Sequence, residues 1–125
     1  MLTQISAAAE TYEVRRAAQA DVPAIVALLA ADQIGATRDG GADLEPYVRA
    51  FAAIDADPAQ LLVVVTEPEG GEVVATLQLT VIPALARRGS LRGQIEAVRV
   101  HEDARRFYER LGFTASHEGF KLRVD

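Results

Sequence analysis

The chain reads as a layered α/β domain of the α+β kind, with a mixed, mostly antiparallel sheet flanked by helices. Three observations predict it. Apolar residues recur at helical spacing in two stretches before residue 57, and from Leu61 onward they alternate or run together as in strands. Glu69-Gly70-Gly71-Glu72 separates two of those strand-like runs with a hairpin signal. The resulting order is strand, two helices, three strands, a helix and two closing strands.

Residues 1–11 are small and polar and are expected to be a flexible lead-in to a single domain over 12–125. Tyr12-Glu13-Val14-Arg15-Arg16 alternates as a strand does. Asp21 is expected to cap a helix whose first turn holds Val22 and Pro23 and whose apolar stripe is Ile25, Leu28 and Leu29. Gly35 and Arg38-Asp39-Gly40-Gly41 interrupt the pattern. A second helix runs from about Asp43 to Ile54, with Leu44, Tyr47, Val48, Phe51 and Ile54 on one side, and Asp57-Pro58 turns the chain.

Leu61 to Thr66 is a short strand expected to be buried on both faces. Val73 to Ile82 returns from the hairpin, Pro83 to Gly89 connects, and Ser90 to Val100 forms a third strand. Asp103 is a plausible N-cap for a helix with Ala104, Phe107, Tyr108 and Leu111 on one face, stopped by Gly112. Phe113 to Ser116 and Phe120 to Val124 read as a closing hairpin.

Half of the 125 residues are hydrophobic, which places the chain among globular proteins rather than disordered ones. No apolar run reaches the ~18 residues of a membrane helix, and the N-terminus lacks the charge order of a secretory signal, so no membrane partner and a cytoplasmic setting are expected. The absence of cysteine excludes disulfides, thiolate metal sites and a Cys nucleophile. A net charge of −5 argues against nucleic acid as a partner. The charge is uneven, with four basic and twelve acidic residues before Arg87 and seven arginines against four acids over 87–110. That pattern suits a small anionic ligand with a cationic substrate, or an ordinary solvated surface. His101 and His117 have no partner at metal-ligand spacing, and no metal is expected.

Four stretches carry a resemblance: Arg15 to Ile25, Gly71 to Thr80, Gln94-Ile95-Glu96-Ala97-Val98-Arg99-Val100, and Arg106-Phe107-Tyr108-Glu109-Arg110-Leu111-Gly112-Phe113. In this order they resemble the GNAT superfamily of N-acetyltransferases over roughly residues 12–124. The resemblance implies transfer of an acetyl group from acetyl-CoA to a small-molecule amine, the acid-rich helices suggesting a cationic one. It also implies that Ala97, Val98, Arg99 and Val100 present backbone groups to the cofactor's pantetheine arm. Glu96 falls where many members hold the base that deprotonates the amine; as a strand residue it could equally point to solvent or pair with Arg92 or Arg99. Tyr108 matches the tyrosine that returns a proton to the leaving thiolate; on spacing alone it is a core-facing aromatic.

The third and fourth of these stretches meet at a shortened junction. In the family a glycine-rich pyrophosphate loop, a helix and a strand separate the strand matching 95–100 from the helix matching 103–113. Here Val100 is followed directly by His101-Glu102-Asp103, which has no glycine and brings two carboxylates where a diphosphate needs N–H donors. The truncation predicts weakened or lost activity. It also leaves a second role open, a non-catalytic remnant acting as an interaction module, and predicts a homodimer paired through an exposed strand edge.

Overall fold

The protein, a computed structural model whose residues 3–7, 10–31 and 39–100 are described, is built on one five-stranded sheet in sequential order, with every neighbouring pair antiparallel. The strands are β1 (Thr3–Ala7), β2 (Glu10–Arg16), β3 (Gln60–Thr66), β4 (Val73–Ile82) and β5 (Arg92–Val100). The mixed layered class expected from periodicity is the one observed. Helices α1 (Val22–Ala30) and α2 (Glu45–Ala56) both come between β2 and β3 in the chain. The helix expected from Asp103, the hairpin over 113–124, Tyr108 and both histidines lie outside the described residues.

The lead-in expected over 1–11 contains a strand instead at Thr3–Ala7. It pairs with β2 from Thr3 opposite Val14 to Ala7 opposite Glu10. Extended backbone opposite an open strand edge gains ladder hydrogen bonds that short, small side chains do not advertise in the sequence.

Asp21 precedes α1 as expected, yet its side chain does not cap that helix. It turns back: Oδ2 accepts the Ala18 N–H at 2.7 Å, and both oxygens accept from Arg15 Nη1 and Nη2 at 2.7 and 2.8 Å. The carboxylate therefore clamps the short 3-10 turn Gln19–Asp21 to the end of β2. Hydrogen bonding to Arg15 foremost, and then to Ala18, holds the Asp21 carboxyl below the usual carboxylate range despite its burial. The same pairing raises the Arg15 guanidinium. Behind the clamp, Val22, Ile25, Val26 and Leu28 of α1 are buried at helical spacing, with Pro23 in the first turn where no N–H is needed.

Ala17, Ile25 and Val64 form the centre of the core, and Leu29, Phe51, Leu62 and Val73 pack against it. Val63 to Thr66 are all buried, as expected of a central strand covered on both sides. In α2, two residues shorter at its start than expected, Asp43 Oδ1 accepts the Glu45 N–H at 3.0 Å and Pro46 follows in the first turn. The β3–β4 hairpin closes through a 3-10 turn, Pro68–Gly70, in which Gly70 takes a φ of +73° that side chains rarely adopt.

Candidate functional site

The register of β4 against β5 slips at one place. Thr76 faces Arg99 and Gln78 faces Glu96, so Leu77 alone stands opposite two residues, Ala97 and Val98. This is a β-bulge, and Ala97 holds it with a φ of +51°. The consequence is geometric. Directly opposed residues share a face of the sheet, so Glu96 and Arg99 lie on the same face although they are three apart. In an unbulged strand they would point to opposite sides.

That face is the one under the helices. Thr76 and Gln78 line a cavity of about 130 Å3 with Ala97, Leu62, α1 residues Val22, Ile25, Val26 and Leu29, and α2 residues Tyr47, Ala50, Phe51 and Ile54. Among the described residues the lining contains no acidic or basic side chain. Tyr47 is the aromatic of the group whose hydroxyl is anchored, donating to Asp39 Oδ1 and accepting the Gly40 N–H, each at 3.0 Å. This ties the chain before α2 to the cavity wall.

Beside the apolar hollow runs a polar row. Gln78 Nε2 and Thr80 Oγ1 both donate to Gln60 Oε1, at 2.8 and 2.9 Å, and Gln94 Nε2 donates to Glu96 Oε1 at 2.6 Å. Opposition in register puts Gln60, Thr80 and Gln94 side by side, with Gln78 and Glu96 in the next row. The arrangement can hold an uncharged or singly charged organic molecule, presenting amides and one half-buried carboxylate next to a hydrophobic recess.

Of the residues singled out by sequence, Glu96, Ala97, Val98, Arg99 and Val100 all fall in β5, the last strand of the sheet among the described residues. Glu96 and Arg99 are brought to the cavity face, and Ala97 lines the cavity itself. Arg99 Nη1 donates to Val98 O at 2.7 Å, which bends the side chain back over the bulge. Tyr108 lies outside the described residues. Sequence reasoning missed Gln60, Gln78, Thr80, Tyr47 and the bulge. One signal was present: the alternation Thr76-Leu77-Gln78-Leu79-Thr80 gives β4 a polar face, and that face proves to be the one roofed by helices. Polar residues roofed by apolar helices mark a site.

Among the described residues no three His, Asp or Glu side chains converge as a metal site would require. No described helix is long and apolar enough to cross a membrane.

No protein-family model matches the chain, and no curated protein matches it. Solved structures do. A transcriptional regulator from Bacillus halodurans C-125 is 33% identical, with a TM-score of 0.72 over 90% of this chain and 99% of that one. Glucosamine-6-phosphate N-acetyltransferase from Arabidopsis thaliana shares the fold at 18% identity, with a TM-score of 0.67 over 93% of this chain and 100% of that one. A GNAT family acetyltransferase from Staphylococcus aureus does so at 11% identity, with a TM-score of 0.60 over 90% and 98%.

Proposed function

We propose that this chain, which shares its fold with N-acetyltransferases of solved structure, is a member of the GNAT superfamily and transfers an acetyl group from acetyl-CoA to a small primary amine, with the donor thioester held at the Ala97–Val98 bulge. The bulge carries the proposal. It takes two residues out of one-to-one pairing with β4, so backbone groups there are not all committed to the ladder. An N–H released in this way can donate to a thioester oxygen, and it donates more strongly as that oxygen becomes an alkoxide. The bulge also opens onto the cavity through Ala97.

Glu96 accepts the proton that the amine must lose. Its position supports this role, since it shares the cavity face with Gln78 and is oriented by the 2.6 Å bond from Gln94. The amine nitrogen adds to the thioester carbon, the C–S bond breaks, and the thiolate takes up a proton to leave CoA and an amide. By resemblance Tyr108 donates that proton. The strand Ala97–Val100 offers the pantetheine arm its backbone groups, whereas the junction His101-Glu102-Asp103 lacks a glycine cradle for the diphosphate. Arg105 and Arg106 offset this only as side chains. Affinity for the donor is therefore low, and turnover depends on donor concentration far above that of the enzyme.

Calorimetric titration with acetyl-CoA, paired with a thiol-release assay on an amine panel, tests this. Glu96→Gln is expected to lower kcat by roughly 10²–10⁴-fold while leaving the binding heat and the melting temperature unchanged. Full activity in that variant would remove the base. No heat at millimolar acetyl-CoA would favour the alternative role, a non-catalytic interaction module, for which the glycine-free junction is the supporting observation.

A further inference from the structure

We infer that the acceptor is a monoamine carrying a compact apolar group, branched aliphatic or aromatic, and not a polyamine. This deepens the acyl-transfer reading and rests on it. Three observations carry the inference together. Among the described residues, the cavity beside the bulge is lined by aliphatic and aromatic side chains of α1, α2 and β3, with Tyr47, Thr76 and Gln78 as polar members and no carboxylate. Thr76 spends its hydroxyl on Val63 O at 2.9 Å, Tyr47 spends its own on Asp39 and Gly40, and Gln78 Nε2 donates to Gln60, so each of the three polar groups is already engaged. At about 130 Å3 the hollow matches the ~150 Å3 at which an apolar protein cavity accommodates benzene.

Charge placement agrees. A second ammonium on the substrate would have to enter this recess or cross it, losing its hydration with no anion among the described lining residues to replace it. The carboxylate on the described face of β4–β5 is Glu96, and it stands at the rim in the polar row with Gln94 and Gln78 rather than in the hollow. One ammonium can therefore lie at Glu96 and deliver its proton there, while the group attached to it fills the space under Ile25, Phe51 and Leu62. The described acidic residues outside β5, part of the pattern that suggested a cationic acceptor, are not among the described residues of this lining.

The donor's acyl chain is the other group that could occupy the hollow, and the test separates the two. Acetyl transfer is measured to phenethylamine, leucinamide and spermidine, and with phenethylamine fixed, from acetyl-, propionyl- and butyryl-CoA. Binding of phenethylamine to the free protein is followed separately by saturation-transfer NMR, which needs no turnover. Ala50→Leu fills the hollow from an exposed position of α2, with Ala50→Val as a smaller second filler.

Phenethylamine and leucinamide are expected to exceed spermidine in kcat/KM by about ten- to a hundredfold, the worth of burying one Leu- or Phe-sized group. Ala50→Leu is expected to erase that preference and the NMR signal. Spermidine preferred, or a preference untouched by Ala50→Leu and Ala50→Val, overturns the inference while leaving acetyl transfer intact. A preference for butyryl-CoA abolished by Ala50→Leu also overturns it, by assigning the hollow to the donor. If no amine turns over yet phenethylamine binds and Ala50→Leu prevents it, the apolar specificity stands and the catalytic reading falls.

Discussion

β3 and β5 differ in how much of themselves they commit to the fold. Four successive residues of β3, Val63 to Thr66, are buried, and Val64 has no exposed surface at all. No residue of β5 is buried; Arg92, Gly93, Gln94 and Ala97 are exposed and the others partly so. β3 pairs on both sides, with β2 and β4, its register against β4 shifting only near its end at Val65/Thr66, whereas β5, among the described residues, pairs with β4 and shifts register in its interior at Ala97–Val98. A strand buried over successive residues and paired on both edges is an efficient support and a poor binding surface. A strand that is to bind a ligand must keep groups uncommitted, at a cost in local stability.

The first way to break this comparison is to truncate both strands. Val64→Ala removes two fully buried methyl groups from the core centre and is expected to cost about 2–3 kcal/mol in urea unfolding. Ile95→Ala, in a partly buried site of β5, is expected to cost no more than about half as much. Equal losses would mean that β5 is as much a part of the stability core as β3.

The second concerns how the supporting half is locked. The Arg15–Asp21 pair is bidentate, with Asp21 nearly buried and Arg15 partly exposed. Asp21 has a folded pKa below its unfolded one, so its contribution is present above the ordinary carboxylate range and is lost as pH falls through the lowered value. Asp21→Asn is expected to cost about 2 kcal/mol at neutral pH and to flatten the acid limb of the stability–pH curve. Urea titrations from pH 7 down to about pH 2.5 measure both, and parallel curves for the two proteins would show that the clamp contributes nothing to acid sensitivity.

What the sequence disclosed follows the same division. The supporting elements announce themselves because burial imposes periodicity: Val22, Ile25, Val26 and Leu28 recur at helical spacing, and Leu61 to Val65 run unbroken. The strand from Arg92 to Val100 was also legible from its pattern, and the resemblance placed on it the candidate base and the candidate cofactor-facing residues. The bulge was not. It is held by an alanine, and only a glycine at residue 97 would have signalled a positive φ in advance. The cavity was equally hidden, because it arises where α1, α2 and β4 meet and no single segment records it. Asp21 was recognised as a terminus residue, but its direction was not, since Arg15 lies in a different element and competes for the same carboxylate.

The smallest predicted effect bears most directly on the site. Alanine at positive φ costs about 1–2 kcal/mol relative to its normal conformations, while glycine loses about 0.5–1 kcal/mol more than alanine in backbone entropy on folding. At the Ala97 φ of +51° the first quantity outweighs the second, and Ala97→Gly should stabilise the protein by about 0.5 kcal/mol. The same substitution in a regular strand would destabilise it by a similar amount. The sign of a small shift in the urea midpoint therefore reports whether the bulge exists. A stabilised variant that keeps its turnover would leave the thioester-oxygen argument intact. A destabilised one would mean that β5 pairs in unbroken register, and Glu96 and Arg99 would then lie on opposite faces of the sheet.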